Sequence, residues 1–200
     1  MNAQERAARW LADFDAALQR GDTAAATALF NDDCYWRDLV SFTWNLKTAE
    51  GPHQIRAMLD STLATVKPSN WQIDGQATEA DGIDEAWFTF ETAVSRGKGL
   101  LRLKDGKAWT LLTTMVELKG FEEQKGTTRP KGVEHGPYKG RKTWKEEREE
   151  EALTLGYAQQ PHVVVIGGGQ AGIILGARLR KLGVPAIIIE KNAKPGDSWR

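Results

Sequence analysis

The chain has very little cysteine and histidine. Its single cysteine, Cys34, excludes an intrachain disulfide. Its three histidines (His53, His135 and His162) lie far apart, without the close spacing that metal ligands show. We therefore predict neither a disulfide framework nor a metal site.

The chain also lacks net charge and long apolar runs. Lys and Arg number 27, as do Asp and Glu, so no positive excess favours a nucleic-acid partner. The N-terminus "MNAQERAARW" lacks an apolar signal segment, and no apolar run approaches the ~20 residues that span a bilayer. With 40% hydrophobic residues, a buried core is expected. We expect a cytoplasmic protein that binds neither nucleic acid nor membrane.

Helical periodicity dominates the first third of the sequence. Between residues 4 and 20, one helical face collects the apolar side chains of Trp10, Leu11, Phe14, Ala17 and Leu18. Asp22 is placed to cap a second, shorter helix. The stretch "GPHQIRAMLDSTLATV" predicts a third helix with Pro52 in its first turn.

After Lys67 the period becomes that of a strand. Ala86, Phe88 and Phe90 alternate with more polar positions, and Asp105-Gly106 joins two strand-like runs as a hairpin. Helices first and antiparallel strands afterwards predict an α+β domain over residues 1–120. Six of the eight tryptophans lie in this domain: Trp10, Trp36, Trp44, Trp71, Trp87 and Trp109. We expect some of them to line a cavity.

Residues 121–160 have the composition of a linker. Charges of both signs alternate with glycine and proline. The acidic run "KEEREEE" predicts a solvated helical turn, and Trp144 is expected to anchor the segment on a domain surface.

Residues 161–200 begin with "VVVIGGGQAG", a buried strand that runs directly into glycines. Gly167 permits a tight turn, Gly169 leaves room for a pyrophosphate, and Gly172 allows a helix to approach the strand. The helix is expected to lay Ala171, Leu175, Leu179 and Leu182 on the sheet. The run "VPAIIIE" adds a second strand ending at Glu190, whose carboxylate would accept hydrogen bonds from an adenosine ribose and repel a 2′-phosphate. This segment predicts the first β-α-β unit of an α/β, Rossmann-type domain.

The first part resembles the NTF2-like (SnoaL-like) cone over residues 4 to 120, through its element order and "LQRGDTAAATALFNDDCYWRDL". That resemblance implies a curved sheet around helices with a pocket. In some members the pocket carries out acid–base chemistry, which makes Tyr35, Asp38 and His53 candidates. Dimerisation, or shaping the substrate entrance of a neighbouring domain, is the favoured role.

The last part resembles flavin-containing monooxygenases of the bacterial and fungal type. The resemblance rests on "EKNAKPGDSWR", on the linker run "RPKGVEHG" and on the NTF2-like domain before it. Asp197 departs from the common pattern, which has a glycine there. The residues that the resemblance places at FAD are Gly167, Gly168, Gly169, Gln170, Ala171, Gly172, Glu190, Lys191, Ser198 and Trp199.

By this resemblance the chain is the N-terminal part of an FAD-dependent monooxygenase that uses NADPH, whose site is expected further along. Such enzymes insert one oxygen atom from O2 into a small organic substrate, and the 200 residues alone are expected to be inactive. The flavin carries the chemistry, so no catalytic side chain is assigned.

Two alternatives remain. One is another flavoprotein with two dinucleotide sites, such as a disulfide reductase or a dehydrogenase, although no cysteine follows Glu190. The other is a complete, non-enzymatic NTF2-like module that binds a small ligand or a second copy of itself, with a stranded tail.

Overall fold

The computed structural model describes residues 1–129, 139–194 and 196–197. The chain divides into two compact units, Met1–Glu122 and Glu123–Arg200. In the described ranges, every helix is too short or too polar to cross a membrane.

Three helices belong to the first unit: α1 (Ala3–Gln19), α2 (Thr23–Ala28) and α3 (Gly51–Val66). A capping box between Asn2 and Glu5 starts α1, and the Asp22 carboxylate accepts the Ala25 amide at the start of α2. Pro52 lies in the first turn of α3. The structure confirms all three predicted helices.

The first unit contains one seven-stranded sheet. Its strands are β1 (Phe30–Leu39), β2 (Leu46–Glu50), β3 (Ser69–Ile73), β4 (Thr78–Ala80), β5 (Ile83–Glu91), β6 (Ser95–Lys104) and β7 (Lys107–Leu118). The strand order is β2-β1-β7-β6-β5-β3, and β4 pairs with β5 beside β3. Helices α1 and α3 pack against one face of this sheet.

The expected order of helices first and antiparallel strands afterwards is wrong. β1 and β2 precede α3, and β1 pairs with β7 in parallel, so the sheet is mixed. The period-2 signal of β1 is present, because Cys34, Trp36 and Asp38 are buried while their neighbours are exposed. The acidic run before Cys34 obscures that signal in the sequence.

The hairpin and the inward face of β5 are confirmed. Asp105 and Gly106 have φ values of 53° and 75°, the left-handed pair that a two-residue hairpin requires. On the inner face, Phe88 and Phe90 stand opposite Gly99 and Gly97 of β6. A Cβ at either glycine would lie 2.2–2.3 Å from the facing ring, so only glycine accommodates the two rings there.

Aromatic side chains fill the interior between sheet and helices. Trp36, Phe14, Phe42, Phe88 and Phe90 are fully buried. Ring centroids of neighbouring pairs lie 4.7–6.2 Å apart, a spacing typical of packed aromatic cores. Trp36 belongs to this packed cluster, so it is not one of the tryptophans that could line a cavity.

The second unit contains α4 (Trp144–Thr154), β8 (Val163–Ile166), α5 (Gln170–Lys181) and β9 (Ala186–Ile189). β8 and β9 pair in parallel, with Val163 opposite Ala186, and α5 connects them. No residue of α4 is buried, which agrees with the expected solvated helix. Trp144 is 63% exposed under the Arg148 guanidinium, so its expected anchoring role is wrong.

The face of α5 that meets the sheet differs from the predicted one. Leu175 and Leu182 are exposed, whereas Gly172 is buried and Gly176 lies against Ile188. Two glycines at i and i+4 let the helix axis approach the strands closely, so the contact line runs through them. The side chains of Leu175 and Leu182 are thereby turned outward, while Leu179, on the same face as the glycines, is half-buried.

Candidate functional site

The glycine turn, residues 167–172, links β8 to α5. Gly167 has φ = +98°, a conformation that side-chain-bearing residues rarely adopt, and its amide donates to the Ile189 carbonyl at 2.7 Å. Gly169 is the N-cap of α5 and has no side-chain cap. The first-turn amides of a helix lack intrahelical partners, so this turn presents donors where an anionic group would be stabilised.

Gly169 and Gly172 have opposite surroundings. A Cβ on Gly169 would meet no atom within 4 Å, so the space in front of the turn is open. A Cβ on Gly172 would lie 1.9 Å from the Gly167 carbonyl oxygen, which only a shift of the backbone could relieve. Gly172 therefore serves the approach of helix to strand, and Gly169 keeps the front of the turn free.

Glu190 lies directly after β9, beside the glycine turn. Its Oε2 accepts the Gly168 amide at 2.6 Å, and its Oε1 accepts the Asn192 amide at 2.9 Å. These donations, that of Asn192 first and that of Gly168 next, lower the pKa of Glu190. The carboxylate is thus held ionised at the end of β9, next to the open space at Gly169.

The chain after Glu190 returns to the glycine turn. The Gly196 amide donates to the Gly168 carbonyl at 3.1 Å, and the Asp197 carboxylate accepts the Lys194 amide at 3.2 Å. Asp197, which departs from the monooxygenase pattern, therefore closes a local turn. Ser198 and Trp199 lie outside the described residues, as does "RPKGVEHG" after Arg129.

Most of the remaining residues of the predicted FAD set are accessible. Gln170 and Ala171 are exposed in the first turn of α5, and Lys191 is exposed after Glu190. Gly168 is buried; its amide donates to the Glu190 carboxylate and its carbonyl accepts the Gly196 amide. Residues 167–172 and Glu190 thus converge in space as the sequence predicts; their roles at a nucleotide are a matter of proposal.

Asp38 in the first unit is fully buried and surrounded by donors. Its carboxylate accepts the amides of Ser41, Phe42 and Thr43 at 2.9–3.2 Å. The hydroxyls of Thr43 and Thr113 add two more bonds at 2.8 Å. These hydrogen bonds hold the loop after β1 and tie it to Thr113 of β7, so Asp38 has a structural task.

Tyr35 and His53 do not join Asp38. Tyr35 alternates with the buried positions of β1 and is exposed on the opposite face, where its hydrogen bond with Asp33 raises the pKa of the phenol. His53 is exposed in the first turn of α3. The acid–base group that the resemblance makes possible is therefore not assembled.

A further surface, which sequence reasoning missed, lies on the outer face of the sheet. Trp87, Leu100 and Leu112 stand side by side on β5, β6 and β7. Trp87 is 43% exposed, and the Lys98 ammonium lies 5.2 Å from its ring. The sequence contains a signal for this surface, because Trp87, Leu100 and Leu112 are apolar residues at the outward-facing positions of strands whose alternate residues are buried. We call these three residues the outer apolar row.

Metal ligation finds no support within the part of the chain that the structure describes. No three His, Cys, Asp or Glu side chains there are grouped to hold an ion.

Residues 11–119 match the family model of the SnoaL-like domain, which covers more than half of the 200 residues. The chain belongs to the SnoaL-like domain family. This match fits the mixed sheet that encloses α1 and α3, and it defines the first unit as the SnoaL-like domain. No curated protein matches the chain.

Several solved structures are similar to this domain. One is a domain of unknown function with a cystatin-like fold from Nostoc punctiforme (17% identity, 58% of this chain and 79% of that chain, TM-score 0.48). Another is an NTF2-like protein of unknown function from Burkholderia pseudomallei (15%, 58% and 92%, TM-score 0.43). A third is a putative isomerase from Bacillus subtilis (18%, 58% and 90%, TM-score 0.46).

Proposed function

We propose that the SnoaL-like domain is a non-catalytic dimerisation module and that the β8–α5–β9 unit binds the ADP part of FAD. The two roles rest on separate observations and are tested separately.

The interior of the SnoaL-like domain supports a non-catalytic role. Catalysis inside the cone would require space and an available acid or base. Trp36 and Phe42 occupy the interior near Asp38, with ring centroids 4.9 Å apart. The carboxylate oxygens of Asp38 already accept hydrogen bonds from backbone amides and hydroxyls. A reaction that used the Asp38 carboxylate would first have to break the hydrogen bonds that hold the loop after β1.

The outer apolar row supports dimerisation. Ion pairs flank it: Glu85 with Arg102 at 2.7 Å, and Lys98 with Asp74 at 2.7 Å. An apolar centre with a polar rim is the usual anatomy of a protein interface. Because the rim carries both signs of charge, a two-fold arrangement can place acid against base, and the matching occupant is a second copy of the same face.

The dimer is tested by light scattering coupled to size-exclusion chromatography. We expect the wild-type chain to dimerise and Trp87→Glu to be monomeric, because the change removes the largest apolar group of the row and places a charged side chain in the interface. Trp44→Glu is the matched control, since Trp44 is also an exposed tryptophan but lies in the loop after β1. A wild-type monomer at every concentration, or monomers from both variants, would contradict the proposal.

One observation carries the nucleotide site: open space at Gly169 beside backbone closure at Gly172. A turn with no ligand would need glycine at position 172 but not at position 169, because Gly169 has φ = −75° and an ordinary extended conformation. Space without a Cβ allows a pyrophosphate to approach the backbone amides. Glu190, beside it, is placed to accept the hydroxyls of an adenosine ribose.

The finer proposal is a flavin-dependent monooxygenase that uses NADPH. The support for FAD over other dinucleotides is the resemblance of the chain after Glu190, together with the return of that chain to the glycine turn. A bound flavin would supply the oxygen-activating chemistry. The residues of this chain would hold its ADP end: Gly169 by backbone approach, and Glu190 at the ribose.

Equilibrium dialysis with FAD, ADP and FMN tests the site. FAD and ADP share the adenylate, and FMN lacks it, so we expect FAD and ADP to bind and FMN not to. Gly169→Val should abolish binding of both adenylates while the SnoaL-like domain stays folded. Ala177→Val is the control, because Ala177 is exposed on α5 beyond the turn. FAD retained in full by Gly169→Val, or bound no better than FMN, would overturn the proposal.

A further inference from the structure

A surface cleft of about 410 Å³ lies in the SnoaL-like domain, between α2, the start of α3 and the first residues of β1 and β7. Its volume falls within the range of small-molecule sites. None of the residues that line the cleft belongs to the outer apolar row or to the glycine turn.

One wall of the cleft is apolar and held in place by the core. Phe30 is 2% exposed, and its ring packs edge-on against Trp10 with centroids 5.5 Å apart. Ala28 and Pro52 continue this wall. Phe30 lies beneath this wall as its packed base, and the apolar surface open to a compact apolar group belongs to Ala28 and Pro52.

The rim of the cleft is cationic. Arg56 and Lys107 both line it. The Arg56 guanidinium has an ion-pair contact with Asp60, one turn along α3, but the separation is a long 3.8 Å. In the described ranges, no ion pair engages the Lys107 ammonium. A single carboxylate, that of Asp32, lines the cleft with the two cations.

We propose that this cleft binds a small organic monoanion, a carboxylate carried on a compact apolar body. The cleft is lined by two permanently cationic side chains, Arg56 and Lys107, and one carboxylate, that of Asp32, while Asp60, the 3.8 Å partner of Arg56, is not part of the lining. That balance matches a monoanion, whereas the second charge of a phosphate dianion would meet Asp32. The apolar wall supplies the contact for the body of the ligand, and the cations orient its carboxylate.

Ligand-observed NMR titration of the full chain tests this site with three probes: benzoate, inorganic phosphate and benzyl alcohol. Benzoate has both the charge and the ring, and each of the others lacks one of them. We expect benzoate to bind more tightly than phosphate and benzyl alcohol by about tenfold or more. Equal binding of benzoate and benzyl alcohol, or tighter binding of phosphate, would overturn the proposal.

Three variants locate the binding. Lys107→Gln should weaken benzoate binding by about fivefold to tenfold, because it removes one rim cation. Lys104→Gln is the control, since Lys104 is exposed on the same hairpin but does not line the cleft. Asp32→Asn should tighten binding by removing the opposing charge, an effect that a loss of folding would not imitate. Loss by both lysine variants, or an unchanged affinity for Asp32→Asn, would contradict the assignment.

Discussion

Replacing two glycines of the same turn should have opposite consequences for folding. In Gly172→Ala the new Cβ would start 1.9 Å from the Gly167 carbonyl oxygen, and contacts under 3.0 Å essentially never occur, so the backbone must shift by at least 3.0 − 1.9 = 1.1 Å. Overpacking of this kind costs about 1–3 kcal/mol. Alanine recovers about 0.5–1 kcal/mol of helix propensity, which leaves a net loss on the order of 1–2 kcal/mol.

Gly169→Ser is the matched comparison. Its Cβ enters open space, and serine is a preferred N-cap residue, so α5 should be as stable as before or slightly more so. The two units need not unfold together, so the assay is peptide-level hydrogen exchange over β8, α5 and β9. Gly172→Ala should speed exchange there by about tenfold. Unchanged exchange in Gly172→Ala, or equal acceleration by Gly169→Ser, would refute the reasoning.

Three further predictions concern single side chains. Asp38→Ala should destabilise the SnoaL-like domain by about 3 kcal/mol or more in urea unfolding, because buried amide donors lose their acceptor; a loss under about 1 kcal/mol would show that water replaces the carboxylate. Burial raises the pKa of the Cys34 thiol to about 11, with smaller contributions from the charges of Asp33 and Asp32. Iodoacetamide at pH 8 should therefore modify Cys34 only in urea, and rapid modification of the native protein would disprove its burial. Arg178 and Lys181 lower the pKa of Glu123 to about 2. The ion pairs of Glu123 with these two residues are therefore complete above pH 4.5 and lost towards pH 2. Carboxyl NMR of Arg178→Gln should find the pKa of Glu123 closer to 4.5, and an unchanged value would show that the ion pair with Arg178 does not form.

Local patterns in the sequence predicted most of the helices and the central hairpin. The periodic apolar face of α1, the Asp22 cap and Asp105-Gly106 each act over a few residues, so neighbouring sequence suffices to read them. β1 escaped prediction because several of its outward residues are charged and one of its two partners, β7, pairs with it 75–78 residues along the chain. Parallel pairing at that distance leaves no turn signal in the sequence.

The candidate sites also divide into residues whose role depends on their sequence neighbours and residues whose role depends on distant parts of the chain. Gly167, Gly169 and Gly172 perform tasks defined by their own turn, so their spacing was informative. The role of Asp38 depends on Thr113, 75 residues along the chain, and no local pattern shows that this carboxylate is already satisfied. The face of α5 was misjudged because hydrophobicity favours leucine, whereas close helix–strand approach favours glycine.

The central claim is that the glycine turn is an adenylate site. Amide NMR of the full chain, titrated with ADP, measures it most directly. We expect saturable shifts concentrated on residues 167–172 and on the Glu190 amide, with those shifts absent in Gly169→Val. Shifts that are absent in the wild-type chain, or that fall in the SnoaL-like domain and spare the turn, would contradict it.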